Sequence, residues 1–168
     1  MKEDLIYRSG TANDIKQLQK LSLASYGQYA DVLTPENWHK LNTNLNKEET
    51  FIELVNKSHC FVCVDVDKIV GMAFLLPGGN PTDIFEKEWS YIRMVGVHPG
   101  YAGKGIARRL TEKCIEKAKE LNERTIALHT SEFMNAARHL YQNMGFKILK
   151  EIPNRLGKRY WLYTLHLD

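Results

Sequence analysis

Apolar residues recur along the chain at two spacings, every third or fourth position and every second, and the switches between them mark the elements. LIYRSG (5–10) is short and β-like. TANDIKQLQKLSLASYG then sets Ile15, Leu18, Leu21 and Leu23 on a helical stripe. Thr34-Pro35-Glu36 is a helix start, with a capping hydroxyl, a proline in the first turn and an acid. A second start, Asn46-Lys47-Glu48-Glu49, leads into TFIELVNKS, so 35–57 holds two helices or one broken helix. HCFVCVDVDKIVGMAFLLPGG reads as a hairpin that turns at 65–68 and is closed by Pro77-Gly78-Gly79. WSYIRMVGV (89–97) is a further strand. GIARRLTEKCIEKAKELN returns to helix, with Leu110, Cys114, Ile115 and Ala118 on one side and charges on the other. TIALHT is a strand, NAARHLYQNM a helix, and GFKILKEI and RYWLYTLHL are closing strands. The order β-αα-βββ-α-β-α-ββ predicts an α/β fold, a single mixed and mostly antiparallel twisted sheet flanked by helices.

No repeat, linker or low-complexity tract divides the chain, so 1–168 is read as one domain, large enough to bury a core. No apolar run approaches the ~20 residues that span a bilayer, and MKEDLIYRSG lacks a signal-peptide core. The expectation is a cytoplasmic protein with no membrane partner. A net charge of +3 fits an anionic small-molecule ligand and falls well short of a nucleic-acid-binding signature. Cys60 and Cys63 form a C-x-x-C spacing, but within a strand they point to opposite faces. With Cys114 they are expected as reduced core thiols. The histidines His39, His59, His98, His139 and His166 make no metal-binding spacing, and no metal is expected.

The candidate chemistry begins at VHPGYAGKGIARRL (97–110), a strand end, three glycines and a basic helix. The P-loop pattern needs lysine and then Ser/Thr after its last glycine, whereas Ile106 and Ala107 follow Gly105. The dinucleotide fingerprint fails at its third glycine, which is Arg108. What remains is a glycine turn before a helix whose first N–H groups suit a pyrophosphate, with Lys104, Arg108 and Arg109 adding positive charge. A tight turn with solvated basic residues is the competing reading.

YAGKGIA followed by MNAARHLYQNMGF resembles the two signature motifs of the GNAT superfamily of acyl-CoA-dependent N-acetyltransferases. The first motif, Arg/Gln-x-x-Gly-x-Gly/Ala, aligns with Ala102-Gly103-Lys104-Gly105-Ile106-Ala107, and the second is matched by Ala137, Leu140, Tyr141, Gly145 and Phe146. The order of elements is similar to this family's along nearly the whole chain.

The resemblance implies acetyl-CoA as co-substrate and transfer to a primary amine of a small molecule or peptide within a ternary complex. It implies that Met94, Val95 and Val97 contact pantetheine on a strand that carries a β-bulge, with which Gly96 is compatible. The amides from Ala102 to Arg108 would hold the pyrophosphate, although Ala102 replaces the usual Arg or Gln. Tyr141 corresponds to the general acid, and a phenol with its pKa near 10 lies near a thiol's range. Asn135, one residue from the family's pantetheine-contacting Asn, either contacts pantetheine or caps its helix. The base is open among Glu88, His129 and water, because Tyr91 stands where relatives often carry Glu. The acceptor would meet 26–33, 77–89 and the turn around 153–158, where Tyr26, Tyr29, Asp31, Asp83, Phe85, Glu86, Glu88 and Trp89 would suit a cationic amine. Polyamine, amino sugar, amino acid and protein N-terminus stay open, as does a homodimer. A non-catalytic acyl-CoA-binding or protein-interaction module is the alternative.

Overall fold

The computed structural model describes residues 4–168. Strands β1 (Leu5–Ser9), β2 (His59–Asp65), β3 (Lys68–Leu76), β4 (Ser90–Val97), β5 (Thr125–Ser131), β6 (Lys147–Arg155) and β7 (Lys158–His166) form one sheet in the order β1-β2-β3-β4-β5-β7-β6. All neighbours are antiparallel except β4 and β5, which run parallel. This is the mixed, mostly antiparallel sheet that the alternation of spacings predicts.

Three helices, not two, separate β1 from β2: α1 (Ile15–Tyr26), α2 (Pro35–Leu45) and α3 (Glu48–Lys57). Thr34 caps α2 by accepting a hydrogen bond from the Asn37 N–H, with Pro35 in the first turn. Asn46 ends α2, and Lys47 enters α3 in extended conformation without a side-chain cap. The segment 35–57 is therefore two helices. Beyond β4, α4 (Ile106–Glu120) and α5 (Asn135–Asn143) complete the set.

The helices cover the two faces of the sheet and so bury two clusters. Leu18, Leu21, Phe51 and Leu54 from α1 and α3 pack on Val62, Met72, Phe74 and Tyr91. Ile106, Leu110, Cys114 and Tyr141 from α4 and α5 pack on Val70, Ala73, Leu75 and Tyr163 on the other face. With both faces covered, β3 reads as a continuous apolar run, because neither set of its side chains meets water. Cys60 belongs to the first cluster and Cys63 to the second, as their spacing in a strand predicts, and with Cys114 on α4 they are free and buried.

Two irregularities in β4 create the site. On its β3 side, Phe74 pairs with Arg93 and Met72 with Gly96, so Met94 and Val95 together oppose Ala73. That extra residue is a β-bulge, with Met94 at φ +53. The bulge thus sits at Met94–Val95 and not at Gly96, where glycine alone suggested it. On its other side, β4 pairs with β5 only at Ser90–Ile126 and Tyr91–Ala127. Beyond Tyr91 no ladder joins the two strands.

Candidate active site

From Ile92 onward, the main-chain groups of β4 that face β5 have no ladder partner. A buried backbone group needs a partner, so this edge suits an extended ligand that bonds like an added strand. After β4, His98 accepts a hydrogen bond at Nδ1 from the Gly100 N–H and opens a tight turn. The Tyr101 hydroxyl hydrogen-bonds to Asp65 at the end of β2, which ties the turn to the sheet.

Gly103 and Gly105 both have φ +77, a region that costs other residues about 1–2 kcal/mol. Nothing lies within 4 Å of where a Cβ would stand on either glycine, so backbone conformation and not crowding calls for glycine, and the loop faces open space. Gly105 begins α4 with no side-chain cap, and the first backbone bond into the helix runs from the Arg109 N–H to the Gly105 carbonyl. The N–H groups of Ile106, Ala107 and Arg108 precede that bond and have no intrahelical acceptor. Lys104 lies over the Tyr101 ring at 5.7 Å. Arg108 and Arg109 pair with Glu112 at 3.3 and 3.4 Å, and Arg109 also with Glu116 at 3.2 Å. Such exposed pairs are weak and leave the guanidiniums able to turn to an anion. The loop from Gly103 to Arg108 suits a pyrophosphate, whereas the expected Ala102 amide is taken by the Pro99 carbonyl at 3.3 Å.

Tyr141 lies on α5 and is 6% exposed, packed edge-on to Phe146. Together with Tyr26, Met94, Val95, Leu128 and Met134 it lines a cavity of about 90 Å³ where β4 and β5 part. Its hydroxyl makes no hydrogen bond to another described residue. Burial, and then the nearby Tyr26 phenol, push its pKa above the ordinary phenol value. This modifies the simple match between phenol and thiol. The group stays protonated throughout the physiological range, and the same desolvation raises a thiol held beside it. Val97 packs in the second core cluster and is absent from the cavity wall, unlike Met94 and Val95. Asn135 is the exposed first residue of α5 and neither caps the helix nor lines a cavity. Met134 at the N-cap lines the gap in its place.

A larger cavity of about 460 Å³ continues from the gap toward α2 and shares Tyr26, Ile92, Met94, His129 and Met134 with it. Arg93, Arg155 and Tyr160 also line it. The His129 ring lies 5.8 Å from both Phe85 and Tyr160, and its buried Nδ1 has no hydrogen-bond partner. Burial, followed by the Arg155 and Arg93 charges, lowers its pKa to about 4. Glu88 is exposed and lines neither of these two cavities, and Tyr91 is buried against Phe85 with ring centroids 4.1 Å apart. Of the candidate side-chain bases, His129 alone reaches the passage. Asp83 and Glu86 are exposed and also absent from its walls. Arg93 and Arg155 escaped the sequence reading, although a lone charge within YIRMVGV was a visible signal for the first. Among the described residues, no group of three or more His, Cys, Asp or Glu could hold a metal ion, and no helix is long and apolar enough to cross a membrane.

The sequence model of the acetyltransferase (GNAT) family matches residues 17–146. The L-amino acid N-acyltransferase MnaT of Escherichia coli is 30% identical over 70 residues, 40% of each chain. The uncharacterized N-acetyltransferase YjgM of Escherichia coli is 28% identical over 104 residues, 61% of this chain and 59% of that one. These matches span less than two thirds of either relative. The crystal structure of PaiA N-acetyltransferase from Thermoplasma acidophilum, in complex with coenzyme A, aligns with a TM-score of 0.79 over 98% of this chain and 99% of that one. At 13% identity that likeness concerns the fold. The family match runs from α1 to the residue before β6, across the splayed strands and the glycine loop, and the chain therefore belongs to the GNAT acetyltransferase family.

Proposed function

We propose that the protein is an acetyl-CoA-dependent N-acetyltransferase that acylates a primary amine of a small molecule or peptide by direct attack within a ternary complex. The observation that carries this reading is the parting of β4 from β5 beyond Tyr91, with the glycine loop at one end and Tyr141 in the gap. Acetyl-CoA supplies an activated acyl carbon, whose C–S bond breaks as the C–N bond to the amine forms. The amides of Gly103 to Arg108 hold its pyrophosphate, and the unpaired edge of β4 around Met94 and Val95 holds the pantetheine. Fixing both reactants in one passage supplies the proximity on which the reaction depends. Tyr141 gives its hydroxyl proton to the departing sulfur. His129 is neutral at physiological pH and accepts a hydrogen bond from the amine; a base that weak leaves the proton itself to water.

The test is a melting curve with acetyl-CoA, free CoA and NAD, followed by thiol release with a panel of amines. A ligand that binds only the folded state adds about 2.7 kcal/mol at a hundred times its dissociation constant. Acetyl-CoA is expected to stabilise the protein and NAD to leave it unchanged. Tyr141→Phe is expected to keep the acetyl-CoA shift and lose about a hundredfold in amine-dependent thiol release. Stabilisation without thiol release for any amine would make the protein a non-catalytic binder, the alternative to which Ala102 and Tyr91 lend support. No stabilisation at millimolar acetyl-CoA would overturn the proposal.

A further inference from the structure

The cavity beyond the gap has a one-sided charge. Its volume of about 460 Å³ suits a small molecule, and much of its wall is apolar or aromatic, with Leu41, Leu45, Ile92, Leu156 and Tyr160. The charged side chains in that wall are Arg93 and Arg155, and no carboxylate lines it. Both guanidiniums are permanent cations. Arg93, on β4 directly before the bulge, makes no hydrogen bond or ion pair with any described residue. Glu53, in a neighbouring cavity that Arg93 also lines, feels the Arg93 charge but is held by Lys57 at 2.6 Å. Arg155, at the end of β6, has one ion pair, with Asp83 at 3.6 Å. That carboxylate is 80% exposed, so the pair is loose and screened.

Arg93 is exposed, and neither guanidinium has a firm carboxylate partner; on the wall of a partly apolar cavity the two repel a simple ammonium ion and attract an anion. We propose that the acceptor is an amine that also carries a carboxylate, and that Arg93 and Arg155 hold this carboxylate while the amine points to His129 and the gap. The proposal rests on the N-acetyltransferase reading above. A planar guanidinium fork matches a carboxylate with two parallel hydrogen bonds, which fixes the direction of the molecule as well as its affinity. The apolar wall then receives its side chain. The arginines have a second effect: a positive field disfavours the ammonium form of the bound amine, and so raises the fraction that is nucleophilic. Their influence on His129 supports the convergence of both charges on this passage.

The test uses the full chain, acetyl-CoA and matched acceptors that differ at one group: leucine, leucinamide and 3-methylbutylamine, then phenylalanine and its amide. Thiol release is read alongside a panel containing a polyamine, an amino sugar and a C-terminally amidated peptide with a free N-terminus. The expected result is a kcat/KM at least about tenfold higher for each free acid than for its amide or decarboxylated partner. Arg93→Gln and Arg155→Gln should each shrink that preference through KM, while an acetyl-CoA thermal shift verifies that the variants are folded. Equal or better turnover of the amides, polyamine or peptide by the wild type overturns the carboxylate subsite and leaves the transferase reading standing. A preference that survives in both variants overturns its assignment to these arginines. A preference for phosphoethanolamine over β-alanine moves the recognised anion to phosphate and likewise overturns it. Absence of thiol release with every amine removes both readings together.

Discussion

Gly105 separates two effects that one side chain would exert at the same point. Its φ of +77 penalises any Cβ through the backbone, yet nothing in the protein lies within 4 Å of where that Cβ would stand. Gly105→Ala is therefore expected to lower stability by about 1–2 kcal/mol, the cost of the left-handed conformation alone. Its effect on acetyl-CoA should be larger, because the added methyl projects into the open side of the loop where a phosphate would approach. Denaturant unfolding with and without acetyl-CoA measures the two separately. Met94 shows the opposite case, a side chain kept at φ +53 although glycine would be easier there. Its thioether lines both the gap and the larger cavity. The glycine loop was legible in the sequence because glycine declares its backbone needs. The Met94 bulge was not, since it is a mismatch of register between β3 and β4 and no residue type announces it.

At the level of elements, the tight turn Ala12–Asp14 that leads into α1 shows how local signals become tertiary anchors. Thr11 and Asp14 form a capping box: the Asn13 N–H reaches the Thr11 hydroxyl at 3.3 Å, and the Thr11 N–H reaches Asp14 at 2.8 Å. Asp14 also accepts two bonds from Arg8 on β1, at 2.9 and 3.0 Å, so one carboxylate ties strand to helix. Asp14→Ala is expected to cost about 2 kcal/mol in chemical denaturation, from the lost cap and the lost bidentate pair. α4 was readable from its stripe of Leu110, Cys114 and Ala118, because that face meets the sheet alone. The break within 35–57 was readable only as two alternatives, since Asn46 and Lys47 offer no cap that would decide between them. The end of the β4–β5 ladder after Tyr91 left no mark in either strand's sequence.

For the whole molecule, acid should act through two groups in successive windows. His129 has an ordinary value of 6.5 and a folded value near 4, set by burial and by Arg155 and Arg93, which outweigh Asp83. The unfolded chain therefore binds this proton more readily. Stability associated with neutral His129 is complete above pH 6.5, falls as the pH drops toward 4 and levels off below it, a loss on the order of 3 kcal/mol. Asp14 is held below its ordinary carboxylate range chiefly by Arg8, so its contribution is lost at lower pH, as that carboxylate finally protonates. Urea unfolding at a series of pH values should show His129→Leu flattening the upper window while leaving the lower one.

The sequence by itself determined whatever depends on neighbours along the chain. This includes the helix caps, the apolar stripes, the opposite-facing cysteines, the glycine loop with its outward amides and the motif around Tyr141. Only the tertiary structure decided what depends on distant segments meeting. The bulge and the gap arise from how β4 pairs with β3 on one side and parts from β5 on the other. The charge of the larger cavity arises where Arg93 on β4 and Arg155 on β6 approach the same histidine on β5. Local backbone preference and spacing act within a few residues, whereas register, desolvation and electric field are properties of the packed sheet.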